Sequence, residues 1–167
     1  GGGIILDGKI LLGAHGIAGE IGHIGTGKSK KNRCNCGNEG CVDQWASATG
    51  IVNQAKELLR ENSEPSLLRG KEPLTAKEIC DSAKEGDKLA TECLDEHCDF
   101  LGHGIAGFIN IFSPQRIVIG GGLSEAGDFY IQKVSERAHR YVMADCAVNT
   151  RIMAASLGKK AGSIGAA

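Results

Sequence analysis

The sequence predicts an α/β protein, a mixed sheet covered by helices with an inserted zinc loop. Three observations lead there. Short apolar runs bounded by turn residues alternate with amphipathic helical stretches. Hydrophobic residues make up 41% of the 167 but aromatics only 4%, so Val, Ile, Leu and Ala build the core. Cys34-Asn35-Cys36-Gly37-Asn38-Glu39-Gly40-Cys41 gathers three thiols in one loop.

Ile4-Ile5-Leu6 and Ile10-Leu11-Leu12 flank Asp7-Gly8, a two-residue hairpin signal. Residues 20–26 read as a third short strand leading into the cysteine loop. From Asp43 to about Arg60 the apolar spacing is helical, with Ile51, Val52, Ala55, Leu58 and Leu59 on one face. Residues 61–74 carry two of the three prolines and read as a loop. Thr75-Ala76-Lys77-Glu78 is a capping box, with Leu74 and Ile79 placed as its hydrophobic staple, and the helix it starts ends near Gly86. A longer helix follows from Asp87 to about Phe112, striped by Leu89, Cys93, His97, Phe100, Leu101, Gly104 and Phe108. Gly102, Gly104 and Gly107 weaken it by propensity, so a second backbone is expected close to that face. Pro114 stops it. Arg116-Ile117-Val118-Ile119 is a strand, a helix covers about 125–143, residues 150–156 form the last strand, and Gly162 and Gly165 fall in a terminal helix.

The length is one domain's worth, enough for a sizeable core. A net charge of −1 argues against a nucleic-acid surface, and the basic run of Lys28, Lys30, Lys31 and Arg33 reads as a solvated loop. No apolar stretch approaches the roughly 20 residues of a membrane span, and there is no leader of secretory type. An odd count of seven cysteines then favours a reducing, cytoplasmic compartment. Cys80, Cys93, Cys98 and Cys146 sit singly in apolar helical patterns as small core residues. The opening on Gly1-Gly2-Gly3 without Met, and the end on Gly165-Ala166-Ala167, read as part of a longer protein.

Cys34, Cys36 and Cys41 with His23 eleven residues upstream suit a closed Cys₃His zinc site, structural because no coordination position stays open. Accidental surface thiols and an intrachain disulfide are the alternatives. Glu20 and His23 stand three apart. Glu20 is either a surface carboxylate beside a metal ligand, or one half of a donor/acceptor pair. In the second case one imidazole nitrogen ligates while the other is held as a donor, an arrangement suited to vicinal hydroxyls. Asp43, two residues past the last cysteine, offers a second acceptor. Gly120-Gly121-Gly122 between strand and helix reads as a weak nucleotide cradle without Rossmann or Walker spacing. Trp45, the only tryptophan, reads as a core plug, with a ligand platform as the alternative. His15, His97, His103 and His139 show no ligand-like grouping.

Together these residues resemble the ROK family of repressors, open reading frames and sugar kinases, in its bacterial glucokinase branch. The resemblance is carried by Gly1-Gly2-Gly3-Ile4-Ile5, Gly19-Glu20-Ile21-Gly22-His23, Cys34 through Cys41, Ala46-Ser47-Ala48-Thr49-Gly50-Ile51 and Ile117-Val118-Ile119-Gly120-Gly121-Gly122-Leu123-Ser124. It implies an actin-like, ribonuclease-H-type kinase fold, with residues 1–167 forming the carboxy-terminal lobe. It also implies structural Zn²⁺ on His23, Cys34, Cys36 and Cys41, sugar contacts from Glu20, His23 and Asp43, and ATP, with Mg²⁺, near Gly121 and Gly122. The implied activity is ATP-dependent phosphorylation of a hexose, glucose first, in a homodimer. A sugar-responsive repressor and a zinc-stabilised binding module are the alternatives. Two departures stand out. The family has Glu where this chain has Asp43, and its phosphate-binding strand and catalytic aspartate have no counterpart in these 167 residues.

Overall fold

A computed structural model describes residues 1–28, 33–147 and 149–158. Lys30 and Lys31 of the basic run, and the terminal helix expected around Gly162 and Gly165, lie outside the described residues. Strands β1 (Ile5–Leu6) and β2 (Lys9–Ile10) pair antiparallel with Ile5 opposite Ile10. Asp7 (φ 51°) and Gly8 (φ 75°) both take the left-handed conformation that such a two-residue turn demands.

The strand expected over 20–26 does not form. Ile21–His23 is a single 3-10 turn closed by the His23 N–H on the Glu20 carbonyl at 3.1 Å, and only Gly25 makes a bridge, to Cys41. The helix expected from 43 to 60 is two helices, α1 (Val42–Ala46) and α2 (Ala48–Glu61). Ser47 breaks them: its backbone is extended and its Oγ accepts the Gly50 N–H at 2.9 Å, an N-cap that starts α2 afresh.

Helix α3 (Ala76–Lys84) carries the reciprocal capping box of Thr75 and Glu78, with Leu74 and Ile79 buried in one core. Helix α4 (Lys88–Phe112) is capped by Asp87 and ends where Ser113 turns left-handed (φ 42°) ahead of Pro114. It is the central pillar, packed by α1, α2, α3 and α5. Of its three glycines only Gly102 meets a second backbone. A Cβ there would lie 2.7 Å from the Ala138 nitrogen, whereas one on Gly104 would touch only side chains and one on Gly107 nothing.

Strand β3 (Arg116–Ile119) leads into a 3-10 turn over Gly122–Ala126, and not directly into a helix. Helix α5 spans only Asp128–His139, a short α6 covers Ala144–Ala147, and β4 is Arg151–Ala154. Strands β3 and β4 pair parallel, with Ile117 opposite Ile152. Ile117, Ile119, Ile152 and Ala154 pack on the helical core, while Val118 and Met153 are exposed on the other face. The single mixed sheet is therefore not present among the described residues, which form two separate two-stranded sheets. The hairpin's apolar side chains, Ile5, Leu6 and Ile10, are exposed. Cys80, Cys93 and Cys98 are fully buried core residues as expected, and Cys146 is half-buried. None of the described helices is long and apolar enough to cross a membrane.

Candidate functional site

The cysteine loop is tied at both ends. Thr26 N–H donates to the Gly40 carbonyl at 2.7 Å, Val42 N–H to the Ile24 carbonyl at 3.0 Å, and Gly40 N–H to the Gln44 amide oxygen at 3.0 Å. Inside it, the Cys34 N–H bonds the Asn38 carbonyl at 2.9 Å and the Gly37 N–H bonds the Cys34 carbonyl at 2.8 Å. Gly37 (φ 92°) and Gly40 (φ 71°) supply the left-handed corners that a side chain would strain.

This folding brings His23, Cys34, Cys36 and Cys41 together, with one ligand atom from each lying within 4.8 Å of all the others. His23 Nδ1 is 3.6 Å from the Cys34 sulfur, and the Cys36 and Cys41 sulfurs are 3.6 Å apart. A tetrahedral ion bonding sulfur at about 2.3 Å and nitrogen at about 2.0 Å spaces its ligand atoms about 3.5–3.8 Å apart, so these residues fit zinc. The thiols differ in character. The Asn38 backbone N–H holds Cys36 below the usual thiol range, whereas burial, reinforced by its two sulfur neighbours, pushes Cys41 up to about 12.

The other ring nitrogen of His23 faces away from the sulfurs: Nε2 lies 3.6 Å from Glu20 Oε2. Glu20 is open to solvent and His23 half-buried, so the pair forms the accessible side of the cluster. Asp43, half-buried at the start of α1, packs on the same turn, where a Cβ on Gly22 would lie 3.3 Å from Asp43 Cβ. The glycine triplet at the amino terminus also reaches this turn. Gly19 is left-handed (φ 105°), and a Cβ there would sit 2.6 Å from the Gly2 carbonyl oxygen.

Gly121 and Gly122 lie apart from this cluster. They are exposed beyond β3, with nothing within 4 Å of where their Cβ atoms would be, and the Ser124 hydroxyl donates to the Gly121 carbonyl at 2.7 Å. Trp45 is half-buried and stacks on Phe100 with centroids 4.3 Å apart, as a core plug would. Of the remaining histidines, His97 is fully buried with Nε2 2.8 Å from the Tyr130 hydroxyl, His103 meets the edge of Tyr141, and His139 Nδ1 bonds the Ser135 carbonyl in its own helix.

The roles of two residues at the site escaped the sequence reading. Gly22 and Gln44 act through contacts between segments, and Gln44 shows itself only as an amide four residues past the loop's last glycine.

The likeness to solved structures gives the chain an actin-like ATPase fold, and its Cys/His cluster is competent to hold zinc. A model of the ROK family matches residues 1–167, and the chain belongs to the ROK family. It is 39% identical to a glucokinase of Halalkalibacterium halodurans, over 99% of this chain and 51% of that protein. It is 40% identical to the transcriptional regulator NagC of Escherichia coli, over 75% of this chain and 30% of that protein. The structure superposes with a TM-score of 0.88 on a ROK family glucokinase from Streptomyces griseus in complex with glucose and AMPPNP, at 30% identity, covering 99% of this chain and 55% of that one. The chain thus spans about half the length of the glucokinases it matches.

Proposed function

We propose that this chain is the carboxy-terminal lobe of an ATP-dependent hexose kinase, with glucose as the first candidate substrate. The observation that carries the reading is the two-sided placement of His23, whose Nδ1 faces the sulfurs while its Nε2 faces Glu20. Bound through His23, Cys34, Cys36 and Cys41, zinc would be closed and structural, fixing the loop and the plane of the imidazole. The chain's own residues then orient the sugar. Glu20 accepts from one hydroxyl, His23 Nε2–H donates to its neighbour, and Asp43 offers a second acceptor beside them. These are positioning roles, which contribute by holding the attacking hydroxyl in line and not by proton transfer. Gly121 and Gly122, bare and open, leave room for ATP, carried with Mg²⁺, to approach the backbone. The general base is supplied from outside these 167 residues, so the isolated chain is inactive. The working enzyme is a cytoplasmic homodimer.

The test is to incubate the intact protein with ATP, Mg²⁺ and glucose, mannose, fructose or N-acetylglucosamine, and to follow hexose phosphate. Turnover that collapses in Glu20→Gln supports the reading. No turnover of any hexose, or turnover by residues 1–167 alone, would sink it. The similarity to NagC favours one second reading, a sugar-responsive repressor, and sugar-dependent release of the intact protein from DNA without phosphorylation would establish it instead.

A further inference from the structure

Of the seven cysteines only Cys36 is exposed. Its companions in the Cys/His cluster are covered: Cys34 is 5% and Cys41 1% exposed, and His23 is half-buried. A small reagent in solution therefore meets sulfur from one side of the cluster, and that side is Cys36. A peroxide oxidises a sulfur that it can touch, and the first product, a sulfenic acid, condenses with a second thiol close by.

Cys36 has such a thiol within reach. Its sulfur lies 3.6 Å from that of Cys41, against about 2.0 Å in a disulfide, so a shift of about 1.6 Å joins them. The segment between them permits that shift. Gly37 and Gly40 form left-handed corners, and open space lies where a Cβ on Gly37 would be. Cys41 is held, because it caps α1 and bridges Gly25, so the exposed residue makes the approach. Cys34 is the poorer partner. Its N–H and carbonyl are both bonded within the loop, to Asn38 and Gly37, and its sulfur faces His23 Nδ1.

We propose that Cys36 is a site of modification by hydroperoxides, and that its oxidation closes a Cys36–Cys41 disulfide that empties the metal cluster. First the Cys36 sulfur attacks one peroxide oxygen and the O–O bond breaks. This leaves Cys36 as the sulfenic acid and releases an alcohol, or water from hydrogen peroxide. Then the Cys41 sulfur attacks the Cys36 sulfur, which expels its oxygen as water. Two electrons pass from the sulfurs to the peroxide, and solvent supplies the protons that metal-bound sulfurs lack. His23 and Cys34 alone remain, half of the set that closes a zinc site. This rests on the zinc reading of the cluster and not on the hexose reading of Glu20 and His23.

The test uses the intact protein, with its zinc content measured first. Hydrogen peroxide is added, released zinc is followed with a chromogenic chelator, and dimedone adducts and disulfides are mapped by mass spectrometry. Early dimedone adducts fall on Cys36, a Cys36–Cys41 disulfide follows, and about one ion leaves per disulfide. Dithiothreitol with added zinc restores the metal. Cys146→Ser, which removes a half-buried thiol outside the cluster, leaves the rate of release within about twofold. The site is refuted, with the zinc reading intact, if another cysteine is trapped first or the disulfide joins other residues. Zinc that stays bound while Cys36 oxidises, or release abolished by Cys146→Ser, refutes it equally. If the untreated protein holds no zinc, the zinc reading fails and this inference falls with it.

Discussion

Gly22 and Asp43 are matched by the absence of a side chain: a Cβ on Gly22 would lie 3.3 Å from Asp43 Cβ and 3.7 Å from its carboxylate oxygen. The bare glycine lets the start of α1 sit on the Glu20–His23 turn. Gly22→Ala is expected to push Asp43 aside by a few tenths of an ångström without touching the sulfurs. In the intact protein the hexose KM should rise about fivefold with kcat nearly unchanged, the pattern of lost ground-state binding. An unchanged KM would show that Asp43 does not contact substrate.

The cysteine cluster makes a separate expectation. Plasma emission should find one zinc per chain, and Cys34→Ser or Cys41→Ser should lower it well below that. Both cysteines are buried, and loop and helix α1 converge on them, so loss of metal should cost at least about 4 kcal/mol of stability. A chelator that strips zinc without moving the thermal transition would remove the structural role.

How much of this was legible beforehand depends on the range of the interaction responsible. The hairpin turn, the capping box and the thiol cluster are set by neighbours within a few residues, and Asp7-Gly8, Thr75 with Glu78, and Cys34 through Cys41 announce them. Residues 20–26 misled because Ile21 and Ile24 carry strand propensity. Their conformation is decided by where His23 must stand relative to three sulfurs that come eleven or more residues later. The break at Ser47 was hidden differently: the apolar stripe runs straight through it, and a single Oγ bond to Gly50 outweighs the pattern. Gly102 could be read as a close contact, but not the identity of its partner, Ala138, which lies on another helix.

His97 gives the pH dependence its sign. Burial pushes its pKa down to about 4 from 6.5, against a smaller opposing effect of the Trp45 backbone, so it is neutral in the folded state. A depressed folded pKa means its contribution is complete above about 6.5 and is lost as pH falls toward 4, because only the unfolded chain takes up the proton over that window. The loss is about 3 kcal/mol. Denaturant titrations of wild type and His97→Gln between pH 7 and 4 should converge as the pH drops, and parallel curves would contradict it.

Asp87 should govern a lower window. Burial raises its pKa, but the N–H groups of Ala90 and Leu67 and the Ser66 hydroxyl outweigh this and hold it below the usual carboxylate range. Its stabilisation is therefore present above about pH 4 and lost as pH falls through the lowered value. Asp87→Ala removes both the cap of α4 and the tether of the 61–74 loop, at a cost of about 2 kcal/mol at pH 7. Equal stability of variant and wild type at pH 7 would show that the loop holds without it.

Gly102 tests the packing of the pillar helix. A Cβ there would be 2.7 Å from both the Ala138 nitrogen and Arg137 Cβ, atoms of the α5 backbone or fixed to it, so nothing can rotate away. Gly102→Ala gains about 1 kcal/mol of helix propensity, yet it must drive α5 off α4. That movement would stretch the ion pairs of Lys133 and Arg137 with Asp95 and of Arg137 with Asp99, which span the same seam. Overpacking outweighs propensity, and a net loss of about 2 kcal/mol is expected in chemical denaturation. Gly107→Ala on the same helix, with open space above it, should stabilise instead, so a common sign for the two variants would exclude close packing as the reason Gly102 is glycine.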